Sequence, residues 1–167
     1  MNISPLKFVG RVSLINDLKT EITSGTASVL TLHGYGGIGK TRLANEVVSR
    51  VAADFEASAH SVALDNEPWE NPLSVTPEQL AGVIARSIGA PDTVTQKPED
   101  RLLAHLQGQK QTLILLDNWE SAHNPETVKW IAKAVNAASQ VRWIITSRNS
   151  LGITNAERVV EIAPMDL

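Results

Sequence analysis

Residues 33–41 read HGYGGIGKT, with four glycines in nine positions, between the apolar stretch ASVLTL and the stretch RLANEVVSRV. Gly34, Gly39, Lys40 and Thr41 fill the fixed positions of the pattern G-x-x-x-x-G-K-[ST]. Glycines let successive backbone N–H groups wrap around phosphate oxygens, and the positive end of a helix beginning there adds to the attraction. Lys40 would reach the outer phosphates as a point charge, and Thr41 would offer its hydroxyl to Mg2+. Gly34, Gly36, Gly37, Ile38, Gly39, Lys40, Thr41 and Arg42 form the candidate phosphate-binding set. A plain glycine-rich turn between strand and helix is the alternative that these residues leave open.

Such a loop needs a carboxylate on the metal side, expected at the end of a neighbouring strand. TLILLDN supplies Asp117, which would hold Mg2+ through water opposite Thr41. Asn118 stands next to it, where many vigorous ATPases with this loop carry a water-activating glutamate. An amide cannot accept that proton, so hydrolysis should be slow. Glu120 could substitute, although a solvent-exposed loop glutamate is the plainer expectation. Arg148 follows the strand VRWIITS, at the sheet edge where ligands collect in open α/β folds, and could touch a γ-phosphate. No N-K-x-D stretch is present to read guanine, which favours adenine. His33, His60, His105 and His123 lack metal-ligand spacing. Trp119, Trp130 and Trp143 suit packing better than base stacking, and Asp65, Glu67 and Glu70 belong to a solvated loop.

The elements around these residues follow from periodicity. Leu14, Ile15, Leu18 and Ile22 share one helical face over residues 12–22, and a strand follows at 28–33. Leu43, Ala44, Val47, Val48 and Val51 repeat at helical spacing directly after the glycine loop. A second strand is expected at 60–64, a loop at 65–75, and a helix opened by the capping box Thr76-Pro77-Glu78-Gln79. That helix turns Leu80, Ile84 and Ile88 inward. A shorter helix at 98–106 leads to LILL, an unbroken apolar run suited to a central parallel strand covered on both faces. Asn124-Pro125 caps a helix with the stripe Val128, Ile131, Ala132 and Val135, and a last strand is expected at 159–162. Alternating strands and helices predict an α/β fold: a three-layer P-loop NTPase with a mainly parallel five-stranded sheet flanked by helices.

The 167 residues predict one nucleotide-binding domain, residues 1–167. The formal net charge is -3 with both signs interspersed, so nothing favours nucleic acid or an anionic membrane. The absence of cysteine excludes disulfides and thiolate metal sites. No run approaches the roughly 18 apolar residues of a membrane span, and a cytoplasmic setting is expected.

Four stretches in order, FVGR at 8–11, GYGGIGKTRLA at 34–44, LILLDNWE at 113–120 and IITSR at 144–148, resemble the nucleotide-binding domain of STAND signalling ATPases, NB-ARC proteins included. The TSR and DN forms look more like the bacterial branch. The resemblance implies that Val9, Gly10 and Arg11 lie against adenine and that Arg148 is a sensor arginine. It implies ATP and ADP as ligands with Mg2+, and a nucleotide-dependent switch that controls conformation or homo-oligomerisation of a larger protein. A catalytic P-loop enzyme, either a kinase or a fast ATPase, and a degenerate scaffold that binds no nucleotide are the alternatives. Family members continue into a helical domain and a winged helix that close over the nucleotide. The chain stops at IAPMDL, so an excised core is expected, with an open site, micromolar-to-millimolar affinity and negligible turnover.

Overall fold

The computed structural model describes residues 11–24, 27–52, 58–153 and 156–164; the expected adenine contacts Val9 and Gly10 lie outside them. Helix α1 (Val12–Ser24) precedes strand β1 (Val29–His33), and the glycine loop leads into α2 (Lys40–Val51). Then come β2 (Ser58–Ala63), α3 (Pro77–Ser87), α4 (Pro98–Gln107), β3 (Thr112–Asp117), α5 (Pro125–Ala137), β4 (Val141–Ser147) and β5 (Glu157–Glu161). All strand pairings are parallel, and the sheet order is β2-β3-β4-β1-β5.

This order corrects one expectation. Asp117 does not end a strand beside β1, because β4 is inserted between β1 and β3. The middle strand is β4, and β3 is interior but off centre. A parallel pair requires a right-handed crossover, so the forward step through α2 and the return step through α5 place those helices on opposite faces. Side-chain alternation shows the result. Leu30 and Leu32 of β1, Leu113 and Leu115 of β3 and Ile144 of β4 pack with α1 and α2. Ile114, Leu116, Val141, Trp143 and Ile145 pack with α3, α4 and α5. All six residues of β3 are buried, as strands covered on both faces require.

The helix starts follow local chemistry. Thr76 and Gln79 form the expected reciprocal capping box on α3. Asn124 caps α5 by accepting from the Glu126 and Thr127 amides, while its own Nδ2 donates to the carbonyls of Pro72 and Val75 at 2.9 Å each. One buried side chain thus fixes the helix and the preceding loop together. The stripe of α5 is turned relative to expectation: Trp130 and Ala134 are buried with Ile131 and Val135, whereas Val128 and Ala132 are half-buried. Packing of the large indole against α3 and α4 residues outweighs the simple aliphatic repeat. Among the described residues no helix is long and apolar enough to cross a membrane.

Candidate functional site

The site lies at the carboxyl edge of the sheet, where β1, β3 and β4 end. Gly37 and Gly39 hold φ of 77° and 93°, the left-handed region that glycine enters without strain, and open space surrounds Gly37. The chain can therefore fold back into the first turn of α2. Among the described residues, the amides of Gly36, Gly37, Gly39, Lys40 and Thr41 have no backbone acceptor. They form an unfilled row of donors at a helix start, the arrangement that anions complete.

Lys40 is buried under this loop, and its Nζ donates to the carbonyls of Gly34 at 2.7 Å and Tyr35 at 2.8 Å. Burial lowers its pKa from the ordinary 10.5; Glu120 opposes that shift, Arg148 adds to it and Asp117 opposes it. The ammonium is held among both signs of charge and faces a cleft of about 400 Å³ lined by Gly36, Gly37, Gly39, Thr41, Arg42, Asn118, Glu120 and Arg148.

Asp117 is also buried, and its Oδ1 accepts from Thr41 Oγ1 at 2.9 Å and from Thr146 Oγ1 at 2.5 Å. The first turn of α2 lies over β3 and β4. Thr41 consequently reaches the acid although a strand separates β3 from β1. Thr146 is a member of the site that sequence reasoning left unassigned. Its hydroxyl also accepts the Asn118 amide at 2.8 Å, so it fixes both the carboxylate and the turn after it. The register pairs Leu116 with Ile145, which puts Asp117 and Thr146 side by side. A hydroxyl inside the apolar run WIITS was the available signal, but only strand order gives it a partner.

The remaining candidates fall on either side. Asn118 has φ of 60°, a conformation Asn tolerates, and its Nδ2 lies 3.4 Å from Asp117 Oδ2 as a donor. Glu120 is not the exposed loop residue expected: its side chain is 28% accessible, lines the cleft and lies 3.6 Å from Arg148 Nε. Arg148 rests against the loop tip, where a Cβ on Gly36 would stand 3.0 Å from its Nη2. It also lines a second cleft of about 420 Å³ with Tyr35, Ile162, Ala163 and Pro164. Ile38 packs partly into the core, and Arg42 lines the cleft that Lys40 faces. Arg11 donates to the carbonyls of Ile38 at 3.3 Å and Ala163 at 2.7 Å. Its guanidinium therefore ties the back of the loop to the segment after β5.

These groups fit a magnesium nucleotide. The unused amides and Lys40 suit phosphate oxygens, and Thr41 with Asp117 offers two oxygen donors on one side. Among the described residues no three or more His, Cys, Asp or Glu gather as a metal cage. A cation here would take few protein ligands and keep several waters, as Mg2+ does.

The family model of the NB-ARC domain matches residues 11–163. No curated protein matches. Among solved structures, the chain is similar to Cdc6p from Pyrobaculum aerophilum, with 16% sequence identity, a TM-score of 0.72, and coverage of 96% of this chain and 47% of that one. It is similar to the Aeropyrum pernix ORC1 protein, solved in complex with DNA, with 18% identity, a TM-score of 0.68, and coverage of 93% and 46%. A STAND protein with a tetratricopeptide repeat sensor from Pyrococcus horikoshii has 18% identity and a TM-score of 0.53, with coverage of 93% and 23%. The chain thus spans about half the length of the first two structures. The parallel five-stranded sheet, the glycine loop at the start of α2 and the match over residues 11–163 lead to one conclusion: the chain belongs to the NB-ARC domain family, on a P-loop NTPase fold.

Proposed function

We propose that this domain binds Mg-ATP and Mg-ADP through residues 34–42 and serves as an adenine-nucleotide switch with slow hydrolysis. The observation that carries this is the meeting of Lys40, Thr41 and Asp117 beneath a row of unused loop amides. Bound Mg2+ would neutralise charge between the outer phosphates. Thr41 and Asp117 would hold it, Lys40 would exchange its two carbonyl partners for phosphate oxygens, and Thr146 would keep the Asp117 carboxylate in place. Family membership and the missing guanine-reading stretch support adenine. Slow hydrolysis is supported by Asn118, whose amide is a donor toward Asp117 rather than a proton acceptor.

The switch would rest on Arg148, which can meet a γ-phosphate that ADP lacks. In a longer chain, attached domains would read that difference at the rim of the second cleft, where Tyr35 is 83% exposed. Titration calorimetry of ATP and ADP, with Mg2+ and with EDTA, tests the assignment. Asp117→Ala should weaken ATP binding in Mg2+ more than ADP binding in EDTA. Equal losses under both conditions would contradict a metal role for Asp117.

A further inference from the structure

Glu120 is the group in the phosphate cleft that the binding scheme leaves without work. Its Oε1 is engaged with Arg148 Nε at 3.6 Å, an ion pair without a hydrogen bond, and its Oε2 is buried with no partner among the described residues. Lys40, Thr41 and Asn118 share the cleft with it. Asn118 cannot take a proton, and Asp117 Oδ1 already accepts two hydroxyls. Glu120 is thus the carboxylate in this cleft with a free oxygen.

The other partner of the pair is placed to leave it. Arg148 is 64% exposed at its side chain and lies along the tip of the loop beside Gly36, where an outermost phosphate would arrive. An ion pair with one exposed partner and no hydrogen bond contributes little, whereas a guanidinium and a phosphate form short, charge-assisted and often bidentate bonds. An incoming terminal phosphate would therefore win Arg148 from Glu120.

We propose that Glu120 is the proton acceptor for hydrolysis and that its ion pair with Arg148 keeps it idle until a γ-phosphate draws Arg148 away. The inference rests on the adenine-nucleotide assignment and deepens it. In the step, a water oxygen bonds to the γ-phosphorus while the bond from that phosphorus to the β–γ bridging oxygen breaks, its electron pair remaining on ADP. The water proton passes to the Glu120 carboxylate and then to solvent, leaving ADP and inorganic phosphate. ADP has no group to take Arg148, so the pair persists and the same two residues distinguish the nucleotides.

The test is Glu120→Gln in the full chain, read by calorimetry with ADP and with a non-hydrolysable ATP analogue, and by single-turnover hydrolysis of Mg-ATP. Releasing Arg148 should tighten the analogue by about two- to fivefold, the range that an ion pair worth up to about 1 kcal/mol permits. ADP affinity should move less than about twofold, and hydrolysis should fall by about 10²-fold or more. Arg148→Ala should remove the preference for the analogue over ADP. A purely structural role would weaken both ligands together. Equal shifts for analogue and ADP, no shift for either, or wild-type hydrolysis by Glu120→Gln would overturn the proposal. Wild-type protein that binds neither nucleotide would instead overturn the functional assignment beneath it.

Discussion

Replacing Thr146 by valine keeps the shape of a fully buried side chain and removes one hydroxyl. That hydroxyl donates to Asp117 Oδ1 at 2.5 Å and accepts the Asn118 amide at 2.8 Å. A hydrogen bond to a charged group contributes about 1.5–3 kcal/mol, and a stranded buried amide costs about 1–3 kcal/mol. The added apolar methyl returns about 1 kcal/mol. Thr146→Val should therefore lower unfolding free energy by about 2–4 kcal/mol, measured by urea denaturation monitored by tryptophan fluorescence. The same change should loosen the Asp117 carboxylate. Loss of a partner that orients a metal-binding group typically costs about 10- to 100-fold in metal affinity, so Mg-dependent ATP binding should fall by that factor. ADP binding in EDTA should change little. A stability change below about 1 kcal/mol, or equal loss of Mg-ATP and metal-free ADP binding, would refute the role given to Thr146.

Asn124→Ala should cost about 2–4 kcal/mol in urea unfolding, because a helix cap is lost and the Pro72 and Val75 carbonyls lose their shared donor; a cost under about 1 kcal/mol would contradict the shared anchor. Burial, and then the charge of His105, lowers the pKa of His60 from 6.5. The unfolded chain consequently binds more protons below about pH 6.5, so stability should fall as pH drops from 7 toward 5. His60→Gln should flatten that fall in melting temperature, and an unchanged slope would place the pH dependence elsewhere. Gly37→Ala meets no neighbouring atom but forces φ of 77° on a residue with a Cβ, so it should destabilise by about 1–2 kcal/mol without a steric clash; no loss on unfolding would show that the loop does not hold this conformation.

What the sequence disclosed were features encoded over a few residues. The Gly34 to Thr41 spacing, the Asp117 strand end, the Thr76–Gln79 capping box and the Asn124 cap each depend on neighbours within about one helical turn. Strand identity was legible for the same reason, since LILL and WIIT carry their burial in their composition. Strand order was not, because a run such as VRWIITS fits any interior position, and only long-range packing inserts β4 between β1 and β3. Thr146 was hidden behind that order because it needed a register partner, and Glu120, already a candidate from the sequence, has its ion-pair partner 28 residues away. Arg11 shows a further limit. Its motif implied a face against adenine, yet its guanidinium is committed to carbonyls of Ile38 and Ala163, a tie no local pattern specifies.

The central claim is that Lys40 and the amides around it hold nucleotide phosphates. Titrating ADP and Mg-ATP into the wild-type chain and into Lys40→Ala tests it most directly, with circular dichroism confirming that both are folded. Removing the ammonium that faces the cleft should reduce affinity for both nucleotides by at least about 10- to 100-fold, the value of a charge-assisted phosphate contact. Folded Lys40→Ala protein that binds ADP and Mg-ATP as tightly as wild type would contradict it.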